Sequence, residues 1–159
     1  MKFVLLDRIV VLEPAQRIVA RKALSLAEEY LADHFPTFPV MPGVLMVEAM
    51  TEAAGWLLQA THNFAYSVME LAEVRNVTYK NFVRPGEVLE IEVTVRQIGE
   101  GRSEFDGIGR CNGLEMVRGR LALRHGQLDG RLHEQVVADA KGRFELLTLD
   151  MKTAVAGDK

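Results

Sequence analysis

Only one of the 159 residues is a cysteine, Cys111. An internal disulfide is therefore excluded, and a chain without such staples suits a reducing compartment. The lone thiol falls in a strand pattern and reads as a small packing residue rather than a nucleophile. An excess of one charge sign is also missing. The 19 basic and 22 acidic residues are interspersed and leave a net charge of -3. Without a basic stripe, nucleic acid is not an expected partner. Long uncharged apolar runs are absent too. Phe3-Val4-Leu5-Leu6 is interrupted by Asp7 and Arg8, which is too short for a secretory signal. The most apolar segment, 43–60, carries Glu48 and Glu52, which argues against a membrane span. These absences point to a soluble, cytoplasmic protein. With 48% of its residues apolar, a chain of this length can bury a core as one domain.

Proline is scarce, yet three of the five prolines crowd into positions 36, 39 and 42. They exclude regular helix there and mark a loop. Before it, residues 3–12 and 17–24 are rich in Val, Ile and Leu and flank Glu13-Pro14-Ala15-Gln16, so a hairpin is expected. Residues 25–33 could form a short helix. After the loop, Gly43 opens a helix expected over about 43–60, roughly 27 Å long. Glu48, Glu52, Gly55 and Gln59 follow at spacings of 4, 3 and 4 and form one narrow stripe. The rest of that helix is apolar and must be wrapped by other elements. Extended segments are expected at 66–74 and 77–83, then a turn at Arg84-Pro85-Gly86-Glu87. Leu89, Ile91, Val93 and Val95 alternate with Glu90, Glu92, Thr94 and Arg96, the signature of a strand with one buried face. Residues 102–110 and 117–124 continue as strands, with Asn112-Gly113 as a two-residue hairpin turn. The order predicts an α+β domain over 1–126 in which an antiparallel meander curls round one helix. Residues 127–159 form a C-terminal extension, with a helix expected over 133–150 and weakened by Gly142.

The loop and the start of the helix carry the chemistry. A histidine, His34, precedes the turn closed by Pro42-Gly43, and a carboxylic acid, Glu48, lies in the first turns of the helix. Removing a proton from the carbon next to a thioester carbonyl drives negative charge onto the carbonyl oxygen. A helix N-terminus offers free amides and a positive dipole end for that charge. Gly43 lets a ligand approach the backbone closely. Histidine, ordinarily titrating near 6.5, accepts a proton at neutral pH. A carboxyl donor must hold its proton, and burial against apolar surface favours that form. His62, His125 and His133 show no metal-ligand spacing with Cys or carboxylates. Ser25, Ser67 and Ser103 lack the context of a nucleophile elbow.

His34-Phe35-Pro36, then Pro39-Val40-Met41-Pro42-Gly43-Val44-Leu45, then Glu48-Ala49-Met50, resembles the β-hydroxyacyl-acyl-carrier-protein dehydratases of fatty acid synthesis. Leu5-Leu6-Asp7-Arg8-Ile9 is similar to that family's first strand, and Asn76-Val77-Thr78-Tyr79-Lys80 with Arg84-Pro85-Gly86-Glu87 to its strand and turn after the helix. The resemblance covers roughly residues 3–125. It implies a hotdog fold and a homodimer joined sheet edge to sheet edge, with hexamers common among family members. It implies a site at the dimer interface, where His34 of one subunit is the base and Glu48 of the other the acid. Gly43 would supply the oxyanion-binding amide. The substrate would be a 3-hydroxyacyl chain carried on phosphopantetheine, and no bound cofactor or metal is implied. Acyl carrier protein is acidic, so Lys80 and Arg84 are candidates for its contact.

The chain departs from the family's usual pattern at Glu52, where the family has Gln, and at Asp33, where it commonly has Gly. A second carboxylate beside the acid and an acidic neighbour beside the base would bear on both proton transfers. Two other readings compete with the dehydratase. One is a non-catalytic hotdog protein that binds acyl chains or acyl carrier protein as an accessory. The other is a hotdog thioesterase.

Overall fold

The structure is a computed structural model, described here over residues 4–151. Residue 3, the first of the expected hairpin, and 152–159, the end of the expected extension, lie outside the described residues. Six strands and two main helices follow in order: β1 (Arg8–Glu13), β2 (Arg17–Ala23), α1 (Gly43–Thr61), β3 (Val68–Tyr79), β4 (Val88–Ile98), β5 (Arg102–Cys111), β6 (Leu114–Gly126) and α2 (Gly130–Leu147). A single 3-10 turn at Glu29–Ala32 occupies the ambiguous stretch before the proline loop.

All strands belong to one sheet in the order β1-β2-β4-β5-β6-β3, every pair antiparallel. The simple meander expected after the helix is only partly present. Strands β4, β5 and β6 do follow one another, but β3 crosses to the far edge and pairs with β6, while β4 pairs back with β2. The two extended segments expected at 66–74 and 77–83 are one long strand, bulged between Leu71 and Glu73 and between Arg75 and Thr78. Strand β1 starts at Arg8 rather than near residue 3. Asn112 and Gly113 both have positive φ, 50° and 80°, which a two-residue turn matching the strand twist requires.

The sheet wraps α1, the hotdog arrangement. One helix face, Met50, Ala53, Ala54, Leu57 and Leu58, is fully buried against Ile18, Ala20, Leu89, Ile91, Val93, Phe105, Leu121 and Leu123. Fully burying each such large side chain contributes about 1.5–3 kcal/mol. The glycines of β5 have a purpose here: a Cβ on Gly107 would lie 2.7 Å from Met50 Sδ. The helix can rest on the sheet only because that side chain is missing. Cys111 is buried in the core, and burial pushes its thiol up to about 11. It stays protonated near neutral pH, as a packing residue should.

Helix α2 lies beside β1 and meets α1 through side chains. Ser67 Oγ accepts the Leu128 amide at 2.7 Å and pairs with His133 Nδ1 at 2.9 Å, which fixes the start of α2. Farther along, Phe144 packs against Trp56 and Phe64, and Leu147 is buried. No helix is long and apolar enough to cross a membrane among the described residues.

Candidate active site

Loop 34–42 is built on reciprocal bonds between its two ends. The Val40 amide donates to the His34 carbonyl at 3.0 Å, and His34 Nδ1 lies 3.0 Å from the Val40 carbonyl. A carbonyl oxygen only accepts, so Nδ1 carries the ring proton and donates it. This bond selects the tautomer in which Nε2 is the acceptor nitrogen, and Nε2 makes no hydrogen bond among the described residues. Val40 and Met41 are buried, and the Met41 amide donates to the Val83 carbonyl at 2.9 Å. These anchors hold the histidine from behind.

The loop delivers the chain to the N-terminus of α1. Pro42 sits at the cap and makes no side-chain cap bond. The Leu45 and Met46 amides already donate to the Pro42 carbonyl. The Gly43 and Val44 amides donate to nothing among the described residues. His34, Gly43 and Val44 line one cavity of about 420 Å³, together with Met41, Met46 and residues 79–82. The residues lining this cavity thus include a histidine and the two residues whose amides are open at the positive end of a helix dipole. Gly43 is dictated by space: a Cβ there would lie 2.7 Å from Cε1 of Tyr79.

Glu48 lies elsewhere. It is exposed on α1 and lines a second cavity, of about 280 Å³, with Trp56, Met69 and side chains of α2. One chain therefore brings His34 and Gly43 together but leaves Glu48 out of their cavity.

Glu52 does not act as a companion acid. Its Oε2 accepts the Leu5 and Leu6 amides at 2.9 and 3.2 Å. Its Oε1 accepts Arg143 Nη2 at 2.6 Å and, weakly, Trp56 Nε1 at 3.5 Å. Every contact donates to the carboxylate, so Glu52 ties Leu5, Leu6 and α2 to α1. Leu5 and Leu6, expected in the first strand, spend their amides here. Asp33 is exposed, and no hydrogen bond or ion pair joins it to His34 among the described residues.

Lys80 lines the His34 cavity, but Nζ pairs with Glu115 at 3.1 Å. The hydrogen bond from Arg118, with Lys80 second, pulls the Glu115 carboxyl down to about 2. Arg84 lies off the cavity, its guanidinium 5.3 Å from the centre of the Phe38 ring. Tyr79, Asn81 and Phe82 also line the cavity. No cluster of three or more His, Cys, Asp or Glu residues able to hold a metal exists among the described residues.

The FabA-like domain family matches residues 1–124. The chain belongs to that family. A 3-hydroxyacyl-[acyl-carrier-protein] dehydratase FabZ of Roseiflexus sp. (strain RS-1) is 34% identical over 119 residues, covering 75% of this chain and 83% of the relative. The same-named protein of Ruminiclostridium cellulolyticum is 38% identical over 99 residues, 61% of this chain and 70% of the relative. Among solved structures, the dehydratase heterocomplex ApeI:P from Xenorhabdus doucetiae superposes with a TM-score of 0.65 at 21% identity, covering 82% of this chain and 86% of that one. The smu.793 protein of Streptococcus mutans, bound to acetyl CoA, gives 0.59 at 12% identity, covering 75% and 87%. At those identities the likeness speaks to the hotdog fold alone. The FabA-like match ends before α2, so this helix lies beyond the matched family domain.

Proposed function

We propose that this FabA-like chain is a hydro-lyase that dehydrates 3-hydroxyacyl thioesters carried by acyl carrier protein, in fatty acid biosynthesis. Nε2 of His34 takes a proton from the carbon next to the thioester carbonyl. The Gly43 amide receives the negative charge that moves onto the carbonyl oxygen. Glu48 gives a proton to the hydroxyl on the next carbon, whose C–O bond breaks. The products are water and a trans-2-enoyl thioester, and the electrons stay within the substrate, so no bound cofactor is needed. Each proton-transfer group contributes about 10²–10⁴-fold, and an oxyanion donor roughly 3 kcal/mol. The observation that carries this reading is the His34–Val40 bond, which makes Nε2 the acceptor of the neutral ring of a histidine that lines one cavity with Gly43.

The acid would come from a second copy of the chain. Two observations support this. Glu48 lies outside the His34 cavity of its own chain, and β3 leaves a long free edge at one side of the sheet. Phe35, Phe38, Val44, Tyr79 and Phe82 are exposed around the His34 cavity, an apolar surface suited to a partner subunit and an acyl chain. The dimer would work in the cytoplasm, and Lys80 with Arg84 would meet the acidic carrier at the rim.

The test is to incubate the protein with a 3-hydroxyacyl-carrier-protein and follow enoyl absorbance and free thiol together. Enoyl formation that disappears in His34→Ala and in Glu48→Gln is expected. Thiol release without enoyl would instead identify a thioesterase, and binding without either signal an accessory protein.

A further inference from the structure

We infer that α2, the helix added beyond the family domain, forms one wall of the acyl-chain cavity, and that Val136 and Ala140 limit the chain length this enzyme accepts. The inference rests on the dehydratase reading and names the feature that selects its substrate. The second cavity begins at Glu48, the proposed acid. It follows the stripe of α1 through Glu52 and Gly55 to Gln59. Glu48 and Gln59 are eleven positions apart and so on one face, about 16 Å apart along the axis at 1.5 Å per residue. Trp56, Met69 and Leu123 supply apolar walls from α1 and the sheet, and Val136 and Ala140 face them from α2.

Three further features fit an alkyl chain in this space. Gly55 costs a helix interior about 1 kcal/mol relative to alanine. An added Cβ would meet Met69 only at ordinary distance, 3.6 Å, so packing with its neighbours does not require glycine there. Its missing side chain instead widens the cavity. Gln59, 2% exposed, has an Oε1 with no hydrogen-bond partner at the far end. An alkyl end pressed against that oxygen would leave it unpaired, so the apolar segment ends there. Finally, the Arg143–Glu52 bond and the Phe144–Trp56 contact hold α2 at a fixed distance from α1. A wall held in this way sets a length limit.

The test compares 3-hydroxybutyryl- and 3-hydroxydodecanoyl-carrier-protein as substrates of Ala140→Phe, Val136→Phe and Gly55→Ala. Gly55→Ala favours the helix, so a folding defect cannot account for its effect. The ratio of kcat/KM, long chain over short, is expected to fall about tenfold or more in Ala140→Phe and Val136→Phe, and in the same direction in Gly55→Ala. An unchanged ratio in folded variants overturns the inference. In parallel, thermal stabilisation by a non-hydrolysable dodecanoyl-pantetheine amide is measured. Stabilisation of the wild type that Ala140→Phe loses is expected, and equal stabilisation of both overturns the wall. If the wild type converts neither substrate, the dehydratase reading fails, while the amide still decides whether α2 bounds an acyl site.

Discussion

At the scale of single residues, His34 and Gly43 line the same cavity and have different proposed roles. His34→Ala removes the proposed base and is expected to lower kcat by about 10²–10⁴-fold, measured by enoyl formation; the lost Nδ1 bond to the Val40 carbonyl should cost about 0.5–1.5 kcal/mol in thermal unfolding. Gly43→Ala should act through Tyr79, whose ring occupies the space of the new methyl group. We expect kcat to fall roughly 10²-fold as the amide is displaced. Adding Tyr79→Ala should restore part of it; no recovery would mean the methyl group harms catalysis by another route. A third residue governs stability rather than chemistry. His125 is buried, with Nε2 3.0 Å from Ser103 Oγ and Nδ1 unpartnered. Burial, with His62 second, lowers its pKa below the ordinary 6.5. The unfolded chain then binds this proton more readily, so stability from neutral His125 is present above about pH 6.5 and is lost as pH falls below it. Urea midpoints at pH 8 and pH 5 should differ less in His125→Gln than in the wild type; an equal difference would clear His125.

At the scale of elements, much was legible and the exceptions have physical causes. Helix α1 was readable from its density of Val, Leu, Met and Ala after a proline loop, and β4 from strict alternation. The alternation reports which face is buried but not which strand is the neighbour, so β3 could not be placed at the far edge. The role of Glu52 was illegible for a related reason. Its partners, Leu5, Leu6 and Arg143, lie 47, 46 and 91 positions away, and no local pattern links them. The tie is testable. Arg143→Met leaves a largely buried carboxylate without its cation, and a loss of about 1–3 kcal/mol is expected. Glu52→Gln in that background should cost much less than in the wild type. Additive losses in this double-mutant cycle would mean that the two side chains are not coupled.

At the scale of the whole molecule, one chain holds an incomplete set of groups. His34 and Gly43 line one cavity, Glu48 lines another, and β3 has a sheet neighbour on one side only. An active site completed by a second copy accounts for all three. It also makes the 14 positions between His34 and Glu48 irrelevant to catalysis, since the working pair would belong to different chains. Mixing defective subunits tests this most directly. His34→Ala and Glu48→Gln proteins, each expected to be nearly inactive alone, are unfolded together and refolded. In a mixed two-fold dimer, one site regains both groups and the other loses both, so about a quarter of wild-type enoyl formation should return. If the mixed preparation forms dimers yet stays as inactive as its parents, His34 and Glu48 act within one chain and the shared site is wrong.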